Sequence, residues 1–209
     1  MQKAVKVTVK TEVITFTGHI RLRASTYADT CISIIGGGHL DFPFIWTDGN
    51  IGTKIGDATF SSNDIRIEHI YHTQGEALVL NPTSTGRVSE IDIGYIDSDG
   101  SNTGAYDSLV RITGGVRRTK INHVSMHAIV SGFVAPSIAT VLIENSATAA
   151  PSNGIVIDKV TDRSTTVLGP AVKTRDTTAT AGTKIGGIII NNIDTTGTTA
   201  VDIAYSFNT

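Results

Sequence analysis

A seven-residue phrase recurs along the chain, and its spacing limits the fold more than any other feature. It reads Asp64-Ile65-Arg66-Ile67-Glu68-His69-Ile70 and then Glu90-Ile91-Asp92-Ile93-Gly94-Tyr95-Ile96. Looser copies occupy 118–124 and 140–146, and a clear one occupies 187–193. Aligned on the second apolar residue, the copies fall at Ile67, Ile93, Ile121, Ile143, Val167 and Ile190, in steps of 22 to 28 residues. Within a phrase the isoleucines stand at i, i+2 and i+5, close to the alternation of a strand. A second apolar stretch follows each copy, at 77–80, 109–112, 128–130, 154–157, 171–172 and 200–203.

Two short strands per period, joined by Gly, Asn, Ser and Thr corners, are the pattern of a solenoid. A leucine-rich repeat would need leucine at fixed offsets, and leucine is scarce here. A sandwich would join its strands by hairpins, without columns that align across six copies. The expectation is an all-β chain, a right-handed parallel β-helix of about 20–28 residues per coil, with coils stacked at ~4.8 Å. Isoleucine ladders would fill its dry interior.

Composition agrees. Of 209 residues, 21 are glycine and only 17% are charged. β-branched and turn-forming residues favour strands and tight corners. The net charge of −2 offers no basic field for nucleic acid. No apolar run approaches the ~18 residues of a membrane span, and the amino-terminal stretch lacks a signal-peptide core. Cys31 is the only cysteine, so neither a disulfide nor a cysteine metal motif is available, and its apolar setting reads as a buried thiol.

Residues 1–63 read as amino-terminal strands and opening coils, and 64–209 as regular coils of one continuous domain. Within the first part, Gly36-Gly37-Gly38 is a sharp corner rather than a phosphate cradle, because Pro43 argues against a following helix. Phe42, Phe44, Ile45 and Trp46 read as a hydrophobic plug at one end of the core, with a sugar-stacking platform as the functional alternative. Residues 47–63 read as a long loop. Neither end carries an obvious cap, which suggests a segment of a longer chain or ends covered by other protein.

Two positions after the aligned residue stand His69, Tyr95, His123, Asn145, Gly169 and Asn192, read as corners that include left-handed backbone. The outward columns are charged in the first four coils and apolar in the last two. Leu168 and Ile189 there point to a covered surface such as a subunit contact.

The x-Ile-x-Ile-x-x-Ile coils, the Asn-rich corners, the Ser/Thr/Gly loops and the lack of cysteine resemble the pectin-lyase-type parallel β-helix. They resemble in particular phage tailspikes and their depolymerase domains, over 31–37 and 64–206. The resemblance implies a homotrimer or larger virion assembly, on a phage tail or released outside the cell, that binds bacterial surface polysaccharide. Many such proteins cleave it as glycosidases or lyases. No motif is close enough to carry catalytic positions across.

Hydrolysis needs two carboxylates, about 5 Å apart for retention and about 6.5–9.5 Å for inversion. Glu68 and Asp92, one coil and two residues apart, would be separated by ~8 Å. They are the candidate acid and base, with Asp97 and Asp99 at the next corner as substitutes. Arg66, Tyr95, Lys120 and Asn122 are the candidates for sugar hydroxyls or acidic groups, with Trp46 for stacking. Lyase chemistry would instead draw on Arg66, Arg117, Arg118 and Lys120 beside His69 or His123. A metal site from His69, His72, His123 and His127 is not expected, since their spacing suits a helix and these are strands. No cofactor is expected. A non-catalytic structural or adhesive module is the alternative function.

Overall fold

The computed structural model describes residues 5–8, 14–15, 17–23, 30–36, 38–57, 59–81, 86–101, 106–127, 134–144, 152–164, 169–175, 185–196 and 201–204. Among these there are seventeen strands and no helix. In chain order they are β1 (Val5–Thr8), β2 (Ile14–Thr15), β3 (His19–Arg23), β4 (Thr30–Ile35), β5 (Leu40–Phe42) and β6 (Phe44–Asp48). They continue as β7 (Ile51–Ile55), β8 (Ser62–Thr73), β9 (Glu76–Leu80), β10 (Val88–Ser98), β11 (Ser108–Thr113) and β12 (Val116–Met126). The last are β13 (Ala139–Glu144), β14 (Asn153–Asp162), β15 (Val172–Arg175), β16 (Ile188–Thr195) and β17 (Val201–Ala204).

The strands form two long parallel sheets, and the chain alternates between them. The first runs β1-β4-β7-β9-β11-β13-β15-β17. The second runs β16-β14-β12-β10-β8-β5-β2, with β6 also on β8 and β3 on β6. Each pass adds one strand to the first sheet and one rung to the second, the path expected of a parallel β-helix.

Side-chain ladders explain why the coils stack. In the second sheet Phe42, Ile67, Ile93, Ile121, Ile157 and Ile190 are in register, and so are Ile45, Ile70, Ile96, Val124, Val160 and Ile193. In the first, Ile34, Ile55, Leu80, Ile112 and Ile143 follow one another. Apart from those of β16, these residues are fully buried or nearly so, each burial contributing about 1.5–3 kcal/mol. Cys31 is also buried.

Four expectations change. The rung that follows Ile121 in the second sheet is Ile157, not Ile143, which lies in the first sheet between Ile112 and Thr174. The stretch 154–157 is thus ladder, and 140–144 belongs to the return strand β13. Coils here are 36 residues (Ile121 to Ile157) and 33 residues (Ile157 to Ile190), so a fixed period misassigns them. Val167, Leu168, Asn145 and the stretch 128–130 lie outside the described residues.

The aromatic cluster is no plug. Leu40, Phe42 and Ile45 sit under Ile65, Ile67 and Ile70, making 39–45 a further copy of the phrase. The expected loop at 47–63 contains β7, paired between β4 and β9.

The left-handed corners also move. They are Asp64, Glu90, Arg118, Gly154 and Gly187, with φ from 47° to 66°, at the first phrase position. The first four of these lie inside β8, β10, β12 and β14, and His69, Tyr95 and His123, farther along the first three of those strands, do not have left-handed backbone. Since Glu68 and His69 are adjacent and both lie outside the core, the pleat breaks between Ile67 and Ile70 and the sheet turns there.

Candidate functional site: the outer face of the second sheet

The outward side chains of β8, β10 and β12 build the candidate site. Asp41, Arg66, Asp92 and Lys120 form one column of alternating charge, in register across four rungs. It turns apolar at Val156 and at Ile189, which is 54% exposed. Glu68, Gly94 and Asn122 occupy the next outward column. Arg66 reaches Glu68 at 3.5 Å, with both side chains more than half exposed, and Lys120 reaches Asp158 at 3.5 Å.

Gly94 opens this surface. A Cβ there would stand 2.3 Å from the Glu68 carbonyl oxygen, so only glycine lets the two coils approach. A cavity of about 230 Å³ lies beside it, lined by Arg66, Ile67, Glu68, Asp92, Gly94 and Asn122. Four of the candidates from sequence, Arg66, Glu68, Asp92 and Asn122, therefore share one cavity.

The remaining candidates lie elsewhere on the face. Tyr95 belongs to a ladder of rings, His19, Phe44, His69, Tyr95 and His123, with centroids 4.8–5.0 Å apart. Such contacts are worth about 0.5–1.5 kcal/mol each beyond their buried area. Trp46 has Arg21 stacked 3.7 Å from its ring centre and Tyr71 against its edge, so one ring face is already taken.

Asp97 lies beside a third group. His127 Nε2 is 3.6 Å from Asp97 and makes a short contact with Ser125 Oγ. A nucleophilic relay needs serine and acid on opposite ring nitrogens, and here both approach Nε2. Burial pushes the Asp97 carboxyl up, against the pull of His127, and burial pulls the imidazoles of His69 and His123 down. Tyr71 donates to Asp99 at 2.6 Å, and its phenol is raised by burial and then by that carboxylate. His72 faces inward and bonds Thr47, away from His69. Among the described residues no three His, Cys, Asp or Glu side chains converge on a metal-sized site.

Sequence reasoning missed the group around Glu76. Its carboxylate accepts from Arg111 at 2.9 Å and from Ser108 at 3.2 Å, and burial holds it up to about 7 although both partners oppose the shift. The available signal was a charged residue inside each of two apolar stretches, Glu76-Ala-Leu-Val-Leu and Leu-Val-Arg111-Ile.

The fold and the face together define a class, an all-β chain of two long parallel sheets with a polar outer face. Comparison with known families, curated proteins and solved structures finds no match to any of them.

Proposed function

We propose that the chain is a right-handed parallel β-helix of the pectin-lyase type that binds bacterial surface polysaccharide, as a homotrimeric part of a phage tail spike or appendage. The observation that supports this most is the cavity over Gly94. It offers a guanidinium donor, two carboxylate acceptors and an amide that does both, on a face open enough for a polymer to lie along it. Sugar hydroxyls, each donor and acceptor, match such a mixed set. The exposed charges flanking the cavity rest on coils fixed by the ladders beneath, so the donors are held at the spacing of the rungs.

A second reading, glycosidic hydrolysis, is favoured by the shared position of Glu68 and Asp92 in this cavity. One would give a proton to the glycosidic oxygen while the other takes one from the attacking water. Their offset of one rung and two residues corresponds to ~8 Å, within the inverting range.

The test is to incubate the purified chain with capsular and O-antigen polysaccharides and separate the products by size. Co-elution of protein with intact polymer supports binding alone. Shortened polymer with new reducing ends supports hydrolysis, and unsaturated uronate ends would replace it with a lyase acting through Arg66, Lys120 or the histidines. Failure to co-elute with, or to shorten, any polymer would overturn the proposal.

A further inference from the structure

β16 is the outermost described strand at one end of the second sheet, and one of its long edges has no neighbour among the described strands. Its inward residues Ile188, Ile190 and Ile193 pack on the core yet stay only partly buried, whereas Ile155, Ile157 and Val160 one rung below are fully buried. We infer that this edge pairs with the same edge of a second copy of the chain, β16 against β16, antiparallel about a two-fold axis.

The backbone is set for such pairing. The Ile155 N–H bonds the Gly187 carbonyl, and the Thr196 N–H bonds the Asp162 carbonyl. Counting inward from these two points, strand alternation turns the N–H and C=O of Ile188, Ile190 and Ile193 away from β14. A row of this kind is a template for strand addition, and proteins commonly guard it with lysine or proline. β16 reads Ile-Ile-Ile-Asn-Asn-Ile-Asp-Thr and has neither, and its one charge, Asp194, is held by Arg163.

The side chains select a second copy as the partner. The register with β14 places Ile188, Ile190, Ile193 and Thr195 over the inward residues Ile155, Ile157, Val160 and Asp162, and leaves Ile189, Asn191, Asn192 and Asp194 outward. From Ile188 to Thr195 the strand therefore runs in, out, in, out, out, in, out, in, the same from either end. The bend of the sheet falls at its centre, between Asn191 and Asn192. Only one antiparallel register lays bend on bend. It sets Ile190 opposite the partner's Ile193 and Asn191 opposite the partner's Asn192, so that each face of the sheet stays continuous. Ile190 and Ile193 are edge-facing, and residues so placed exchange two hydrogen bonds in an antiparallel pair. The isoleucine ladder continues into the partner, and the strand's one charge stands clear of its symmetry mate. A strand of another protein would need the same doubled outward step at its centre, whereas a second copy supplies it by symmetry.

The pairing rests on the edge of β16 and does not depend on the polysaccharide reading. Combined with a trimer, it would close as D3. It is also distinct from a contact through outward Val156 and Ile189, and the test separates the two. Ile190→Cys and Ile193→Cys are prepared separately, checked by melting curves, and oxidised alone and as a mixture, with light scattering on the unaltered chain. An oligomer is expected, with disulfide-linked dimer from the mixture and not from either variant alone. Only Ile190 and the partner's Ile193 come within disulfide reach, while each residue stands about 10 Å from its own symmetry mate. Cys31 is buried and common to every sample. Hydrogen exchange of the unaltered chain gives a second reading that needs no variant. The Ile188, Ile190 and Ile193 amides should exchange roughly tenfold slower in the oligomer than after dilution to monomer. A clean monomer would overturn the inference. So would a mixture that gives no more disulfide than the single variants, or β16 amides that exchange no slower on association, either of which would leave outward Ile189 as the contact.

Discussion

The Arg111 guanidinium donates to the Glu76 carboxylate at 2.9 Å across one coil, although 35 residues separate them in sequence. The Glu76 side chain is 8% exposed and that of Arg111 26%. Removing one partner of such a pair strands the other, at a cost of about 3–5 kcal/mol. Arg111→Ala should therefore lose stability by that order in denaturant unfolding. Replacing both, as in Glu76→Leu with Arg111→Met, should restore most of it. A double variant as unstable as the single one would show that the pair itself, not the stranded charge, matters.

A pH prediction follows from Glu76 and His72. Glu76 is held up to about 7 from an ordinary 4.5, so its contribution to stability is full below about 4.5 and lost as pH rises through 7. His72, fully buried, is pulled down to about 4 from 6.5, so its contribution is full above 6.5 and lost as pH falls through 4. Between these limits the two slopes oppose each other. Glu76→Gln should uncover the His72 slope, with stability falling by roughly 3 kcal/mol on acidification from 6.5 to 4. Melting curves across that range check it, and an unchanged slope in the variant would contradict the assignment.

Ladder truncation should be expensive. Ile93 and Ile121 are fully buried and in register, and Ile→Ala at either should cost about 2–5 kcal/mol. Gly94→Ala should also destabilise, since its Cβ would press on the Glu68 carbonyl. An exposed change such as Asn122→Ala should stay within about 0.5 kcal/mol.

Self-association is expected through the last rungs. Val156 and Ile189 give the outward column an apolar end there, and Ile189 is 54% exposed. Light scattering should show an oligomer, and Ile189→Lys should shift it toward monomer. A clean monomer for the unaltered chain would remove this contact from the account.

How much of this was legible in the sequence depended on how local the signal was. The ladders of β8, β10 and β12 could be read because three apolar residues at i, i+2 and i+5 show their register within seven positions. The copy at Leu40, Phe42 and Ile45 escaped, because Pro43 and the aromatic side chains mask the same spacing. Ile143 was placed in the wrong sheet because long connections stretch the coils after Ile121, and its phrase resembles a ladder strand on both faces. The cavity residues Arg66, Glu68, Asp92 and Asn122 were within reach because register alone brings them together. Glu76 with Arg111 was not, because they sit on β9 and β11, whose apolar stretches carry no recurring phrase that fixes their register, and Asp97 with His127 was not, because His127 lies just past the end of β12.

The central claim is that polysaccharide lies on the outer face at Gly94. The most direct measurement compares retention of the wild-type chain and of Asn122→Trp on immobilised capsular and O-antigen polysaccharides, with melting curves for both. The bulky side chain should fill the cavity and weaken retention tenfold or more while the fold is kept. Equal retention by the variant, or no retention of the wild-type chain on any polymer, would contradict the account.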